Sequence, residues 1–482
     1  MIMNRDTTDY LNTLGDDFLV SALSTNSINT MEDYDRWFGE RYDANEYVVT
    51  KIPVDSIEGW CIENGTGNIR HQSGKFFSIQ GLRISTNFGN TAEWSQPIIN
   101  QPEIGILGFI TQKKNGVLHF LVQAKMEPGN VNLLQISPTL QATKSNYTTV
   151  HGGRKPSYLE YFLDNTHANV ITDQLQSEQG SRFLRKRNRN IIIEIDEDEE
   201  IEVLPDFFWL TLGQISELLK QDNIVNMDSR TVLSNIDFNP VESDFSELYR
   251  ELNIAPFKRR LLESYCAADN RAENRFNSIL SWFTNLKTLY EVNAELVPLN
   301  DVSGWGLVDG EIRHEHSRYF SVIGISVKAS SREVGSWQQP LIESAKGGII
   351  AFICQMKNGV LHFLVQARVE PGNFDIIELA PTLQFTPANY DGPDANDLPP
   401  FHDLVVNASA ENVRFDHLQS EEGGRFYHDQ NRYQVIELPE DQDPGEIPKN
   451  YTWMTMNQIK RLIKYNNYFN IEVRGLLSCL SV

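Results

Sequence analysis

The run Asn115-Gly-Val-Leu-His-Phe-Leu-Val-Gln-Ala-Lys-Met-Glu-Pro-Gly-Asn130 occurs twice in this chain. The second copy, Asn358 to Asn373, differs only in having Arg368 for Lys125 and Val369 for Met126. Near-identity at such a separation marks an internal duplication, which constrains the architecture before any local reading. Each copy opens on Asn-Gly, the dipeptide that most readily adopts the two positive φ angles of a tight hairpin turn. The residues that follow alternate along a strand. Val117, His119, Leu121, Gln123 and Lys125 share one face, and Leu118, Phe120, Val122 and Ala124 the other. The second face reads as pure core. The first carries a histidine, an amide and a cation in a row and ends in a Glu-Pro-Gly turn.

The offset from His119 to His362 is 243 residues, and it carries other blocks with it. Trp94-Ser-Gln-Pro97 returns as Trp337-Gln-Gln-Pro340, and Pro138-Thr-Leu-Gln141 as Pro381-Thr-Leu-Gln384. Gln176-Ser-Glu178-Gln-Gly-Ser-Arg182-Phe183 returns as Gln419-Ser-Glu421-Glu-Gly-Gly-Arg425-Phe426. In the first half, alternation between Gly and Asn signals predicts strands over 47–54, 76–82, 104–111, 117–126, 131–137 and 191–195. Short helices are expected over 9–23 and 29–38. A further helix is expected over 209–220 with Thr211 as a cap, and its copy over 453–466. The segment 242–290 reads as linking helices interrupted at Pro256. The fold class is therefore α+β, with two tandem units spanning 1–238 and 239–482.

With 482 residues, either half is long enough to bury its own core. A net charge of −23 argues against a nucleic-acid partner, which needs a clustered basic surface. Cys61, Cys266, Cys354 and Cys479 show no metal-ligand spacing, consistent with a reducing compartment. No apolar run approaches the length of a membrane span, and a cytoplasmic protein is expected. The acidic stretch 194–202 reads as a solvated loop.

The doubled blocks together resemble the NDP-hexose 2,3-dehydratases, over nearly the whole chain. The resemblance implies removal of water across carbons 2 and 3 of dTDP-4-keto-6-deoxyglucose, without cofactor or metal. It also implies a homodimer whose subunits hold two Nudix-like domains, with a nucleotide-sugar substrate and a downstream 3-ketoreductase as partners. No Nudix metal box is present in either half. A non-catalytic nucleotide-sugar binding protein and a degenerate Nudix-related enzyme are the competing readings.

The chemistry needs a base near carbon 3, donors on the carbon 4 oxygen and an acid for the departing carbon 2 hydroxyl. Candidates for catalysis are Tyr390, Glu422, Arg425 and His362. Glu421, Tyr147 and His119 stay open as base or acid, and the two histidines read equally well as structural. The Gly423-Gly424 backbone with Arg425 could hold an enolate. Arg368 offers a planar fork suited to diphosphate, the alternative being an ion pair with Glu370. Through the resemblance, nucleotide-sugar contacts fall on Trp60, Thr143, Lys144, Ser145, Asn146, Tyr147, Ser181, Trp305, Arg368, Gln384, Phe385, Thr386, Asn389, Tyr390, Glu422, Gly423, Gly424 and Arg425.

Overall fold

The computed structural model describes residues 17–144, 155–164, 168–238, 254–330, 334–390 and 398–480. Both Asn-Gly turns form as the dipeptide demands, with φ of 52° and 76° at Asn115 and Gly116 and of 51° and 68° at Asn358 and Gly359. The strands that each turn joins, Gly105–Lys114 to Val117–Met126 and Gly348–Lys357 to Val360–Arg368, sit at the same place in two seven-stranded sheets. In the first sheet the order is Asn169–Ser177, Arg187–Ile195, Gly105–Lys114, Val117–Met126, Phe207–Leu210. Leu140–Ala142 and Leu134–Ser137 add to the two central strands. Arg187–Ile195 runs parallel to Gly105–Lys114, while the other pairings are antiparallel. The second sheet repeats this with Val413–Ser420, Gln430–Leu438, Gly348–Lys357, Val360–Arg368 and Tyr451–Thr455.

The expected one-sided burial of the motif strand is not what forms. Val117 to Val122 are all buried, because helices cover the sheet on one side and a second apolar cluster covers the other. The histidine face is therefore interior. The tail helices also begin later than periodicity suggests. Trp209 and Trp453 lie in the strands Phe207–Leu210 and Tyr451–Thr455, where Lys114 and Lys357 sit 4.8 and 4.7 Å over their rings. The helices Leu212–Leu219 and Met456–Ile463 follow. Thr211 with Gln214, and Thr455 with Gln458, form reciprocal capping boxes that satisfy the first free N–H groups. Pro256 opens the helix Pro256–Tyr265 at its first turn, where a missing N–H costs nothing, so it starts a helix and does not break one.

The halves also exchange strands. Tyr47–Ile52 pairs along Phe320–Ala329 of the second half, and Val292–Val297 pairs along Ser78–Thr86 of the first. Each strand thereby completes a five-stranded sheet in the opposite half. A large shared core then joins Phe109, Phe120 and Ile215 to Phe352, Phe363 and Ile459. Residues 1–238 expressed alone are expected to aggregate, because the edge of Ser78–Thr86 and much apolar surface stay uncovered. Co-expression with 239–482 should restore solubility. A monomeric, cooperatively unfolding first half would show the exchange to be dispensable.

Candidate active site

All four repeated blocks converge on one arrangement, formed twice. Thr139 donates to the Leu121 carbonyl and accepts from Ile110 N–H, which pins the Pro-Thr-Leu-Gln segment to the motif strand. Gln141 Nε2 then reaches Glu127 Oε1 at 2.9 Å, as Gln384 reaches Glu370 at 3.2 Å. The Trp-x-Gln-Pro strand orients its own glutamine, with Trp337 Nε1 donating to Gln339 Oε1 at 2.8 Å. Gln339 Nε2 donates on to the Gly424 carbonyl at 2.9 Å. Trp94, Gln96 and the Ser181 carbonyl repeat the chain.

The loops meet crosswise. Gly129 N–H of the first Glu-Pro-Gly turn donates to Gly423 O of the second half at 2.8 Å, and His428 N–H returns to Gly129 O at 2.7 Å. Gly372 of the second half binds Gly180 O and accepts from Arg185 N–H in the same way. Glu422 is thus delivered to Glu127 of the opposite repeat, and Gln179, its counterpart, to the neighbourhood of Glu370.

The two resulting cavities differ. The larger holds about 700 Å³ and is lined from both halves. Its lining combines a charged set, Lys125, Glu127, Glu178, Lys186, Asp228 and Glu422, with an aromatic set, Trp60, His71, Phe76, Phe77 and Trp337. The smaller, about 70 Å³, contains Gln179, Ser181, Arg182, Gln384, Phe385, Thr386, Asp429 and Glu472.

Carboxylate oxygens of Glu127, Asp228 and Glu422 all lie within 4.8 Å of one another. Burial, with Glu127 and Glu178 adding repulsion against Arg425 and Lys125, raises the Glu422 carboxyl to about 7. Asp228 is raised well above its usual range, first by burial and then by the same carboxylates. Gly424 N–H donates to Glu422 Oε1 at 3.1 Å, and Asn188 Nδ2 to Glu178 Oε1 at 2.7 Å. Lys125 donates to Gln141 O at 3.0 Å and stands 3.9 Å from Glu127. The Oε2 atom of Glu127 is buried and makes no hydrogen bond within the protein. Carboxyl groups raised by burial and set beside two ammonium groups can donate and accept protons near neutral pH.

Of the residues expected from sequence, Trp60, Thr143, Glu422, Gly424 and Arg425 line the large cavity. Lys144 follows Thr143 in the chain and is exposed. Ser145, Asn146 and Tyr147 lie outside the described residues. Ser181, Gln384, Phe385 and Thr386 line the small cavity, and Tyr390 stacks beside it with its ring 4.9 Å from Phe385. Asn389 closes the short helical turn just before it. Gly423 packs against the Asn130 side chain at the loop crossing. Trp305, on Phe320 at 4.6 Å, repeats the setting of Trp60 on Phe77 at 4.8 Å.

Four further candidates, His362, His119, Arg368 and Tyr390, are not brought into the large cavity. His362 is fully buried, with Nδ1 bonded to Val360 O at 2.9 Å and Nε2 accepting from Glu273 N–H at 2.9 Å. His119 repeats this on Val117 O and Ser27 Oγ, and burial lowers it to about 4. Each histidine ties a covering segment to the sheet. Arg368 stands 3.4 Å from Glu370 and lines neither cavity. Tyr390 adjoins the small cavity, on the opposite arrangement from Glu422. Arg425 is engaged by Gln101 Oε1 at 3.2 Å and Gly424 O at 2.8 Å, with its guanidinium 4.2 Å over Phe77. Sequence reasoning missed Glu127, Asp228 and Lys186. For Lys186 a signal existed, since its aligned position in the second copy is Asp429.

The fold and site define a duplicated α+β protein with one spacious, carboxylate-rich cavity between its repeats. A family model described as NDP-hexose 2,3-dehydratase matches residues 31–236 and 276–480. The chain belongs to that family. It is 45% identical over 464 residues to a dTDP-4-dehydro-6-deoxy-alpha-D-glucopyranose 2,3-dehydratase of Saccharopolyspora spinosa, covering 96% of this chain and 94% of that one. It is 44% identical over 483 residues to a protein of the same name from Amycolatopsis orientalis, covering 99% and 95%. Among the described residues, no helix is long and apolar enough to cross a membrane.

Proposed function

We propose that this protein removes water across carbons 2 and 3 of dTDP-4-keto-6-deoxyglucose, giving a 3,4-diketo-2,6-dideoxy sugar nucleotide. The observation that carries the reading is the large cavity, whose lining joins an aromatic set to closely packed carboxylates and ammonium groups. The aromatic set suits a nucleobase and the charged set suits a keto sugar. The carbon 4 ketone acidifies carbon 3, so proton removal there precedes loss of the carbon 2 hydroxyl. Glu422 is assigned as the base. Trp60, Thr143, Lys144 and Arg425 are assigned to the nucleotide sugar, with Ser145, Asn146 and Tyr147 following on the same segment. Trp305, Ser181, Gln384, Phe385, Thr386, Asn389, Tyr390 and Arg368 belong to the second, smaller arrangement, which we read as an auxiliary nucleotide site. Tyr390 and His362 are not assigned to the chemistry at the large cavity.

The same reading makes the subunit a pair of Nudix-like units, the protein a cytoplasmic homodimer, and a 3-ketoreductase the next enzyme. These finer points rest on the family resemblance. Light scattering of the purified protein tests the dimer.

Purified protein mixed with dTDP-4-keto-6-deoxyglucose should lose water by mass spectrometry, and turnover should survive exhaustive chelation. The proximity of Glu127, Asp228 and Glu422 supports one second reading, in which a divalent cation bridges them. Activity lost with chelator and recovered with a divalent ion would establish that alternative. Tight nucleotide binding without water loss would leave a binding protein.

A further inference from the structure

We propose that Lys186 is a further catalytic residue of this dehydration, its ammonium donating to the carbon 4 oxygen as negative charge collects there. The inference rests on the functional reading above and goes beyond the residues that sequence pointed to. It starts from a comparison of the two arrangements position by position.

Most of the polar framework is kept in both. Glu127, Gln141, Glu178, Asn188 and Arg425 correspond to Glu370, Gln384, Glu421, Asn431 and Arg182. Asp228, from the helix Met227–Leu233, corresponds to Glu472 of Ile471–Cys479 and so keeps its charge. Among the charged set lining the large cavity, two positions change character. Glu422 stands where the other copy has Gln179, and Lys186 where it has Asp429. The large cavity thus holds a carboxylate and an ammonium where the small one holds an amide and a carboxylate. Gln179 donates to Glu421 Oε2 at 2.6 Å, a purely structural use of that position. The rest of that charged set keeps its charge in the other copy, so these two exchanges set the charge of the two cavities apart.

Geometry supports the same assignment. Lys186 begins the bend into Arg187–Ile195, is 5% exposed, and lines the large cavity together with Glu422 and Arg425. Its Nζ donates to the Glu103 carbonyl, which fixes the direction of the side chain. An ammonium has three hydrogens, and this bond uses one. Burial, helped by Arg425, disfavours its charged form and outweighs Glu178, Glu422 and Glu103, so it is lowered to about 8. Such a group is a stronger donor than an ordinary lysine and is still charged at neutral pH. Lys125, by contrast, bonds Gln141 O and sits against Glu127.

The step balances without a further reactant. Glu422 takes the carbon 3 proton, and the electron pair moves onto the carbon 4 oxygen, where Lys186 holds it. When the carbonyl re-forms, the carbon 2 to carbon 3 double bond appears. The carbon 2 hydroxyl leaves as water with a proton from the carboxyl cluster. The remaining enol tautomerises to the diketone.

The test uses Lys186→Met and Lys186→Arg in the full-length protein. Lys186→Met should lower kcat by about 10²–10³-fold, the usual loss for one oxyanion donor, with dTDP binding retained. Exchange of solvent deuterium into carbon 3 should fall in step with turnover. In Lys186→Arg the alkaline limb of the pH–rate profile should vanish, because a guanidinium does not deprotonate in that range. Turnover of Lys186→Met near that of the parent protein would overturn the proposal. So would continued exchange without water loss, or an alkaline limb unchanged in Lys186→Arg. A parent protein that loses no water from the substrate would instead sink the dehydratase reading itself.

Discussion

Glu422→Gln is expected to lower kcat by about 10³-fold, within the range general-base catalysis contributes, while leaving dTDP affinity nearly unchanged. The amide keeps the side chain's size and its bond with Gly424 N–H, so the loop need not move. The duplicated arrangement already carries glutamine at this place, in Gln179, without disturbing its fold. The substitution therefore removes a proton acceptor and little else. The pH dependence follows from the same group. Burial raises the Glu422 carboxyl to about 7, and a base works only when deprotonated. Turnover should therefore climb as pH rises through about 7 and fall away below it. An acid limb near 4.5 would mean the acting carboxylate is an exposed one. Residual activity within tenfold of the parent protein would pass the role of base to Asp228 or Glu127.

Much of this was legible in the residues. The duplication, the Asn-Gly turns and the threonine caps are local signals, and each formed where its chemistry requires. The α+β class followed from short strands between helical segments. Two helix starts were misplaced because Trp209 and Trp453 continue an apolar period that a strand and a helix share for several residues. The histidine face misled for a different reason. Alternation reports which side chains share a face, not whether another element covers it, and both faces of this strand are covered. The site itself was only half legible. Sequence picked out Trp60, Thr143, Glu422 and Arg425, which line the large cavity, but could not say which copies face each other. A register of 243 residues relates equivalent positions, yet Glu422 meets Glu127 of the other repeat and not Glu370 of its own.

The crossing of the loops has its own consequence. Gly129→Ala is expected to destabilise the protein by roughly 3 kcal/mol and to abolish most turnover. A Cβ at residue 129 would overlap the Phe426 carbonyl oxygen and crowd Gly423 O. Neither is the tip of a flexible side chain, so the Glu422–Phe426 loop must shift. That shift separates Glu422 from Glu127 and loosens the charged lining of the large cavity, where misplacement by about 1 Å can cost 10²-fold. Gly372 provides the matched control, since its added Cβ would meet Phe183 O and Gly180 O in the same way. Thermal unfolding should show the two variants destabilised alike. Activity at a temperature where both are folded should fall further in Gly129→Ala, which displaces Glu422 itself. Gly372→Ala displaces Gln179 and Arg182 and reaches the large cavity through Phe183 and Lys186 at the end of that loop. A larger loss of turnover per folded protein in Gly372→Ala than in Gly129→Ala would overturn the assignment of Glu422 as the base.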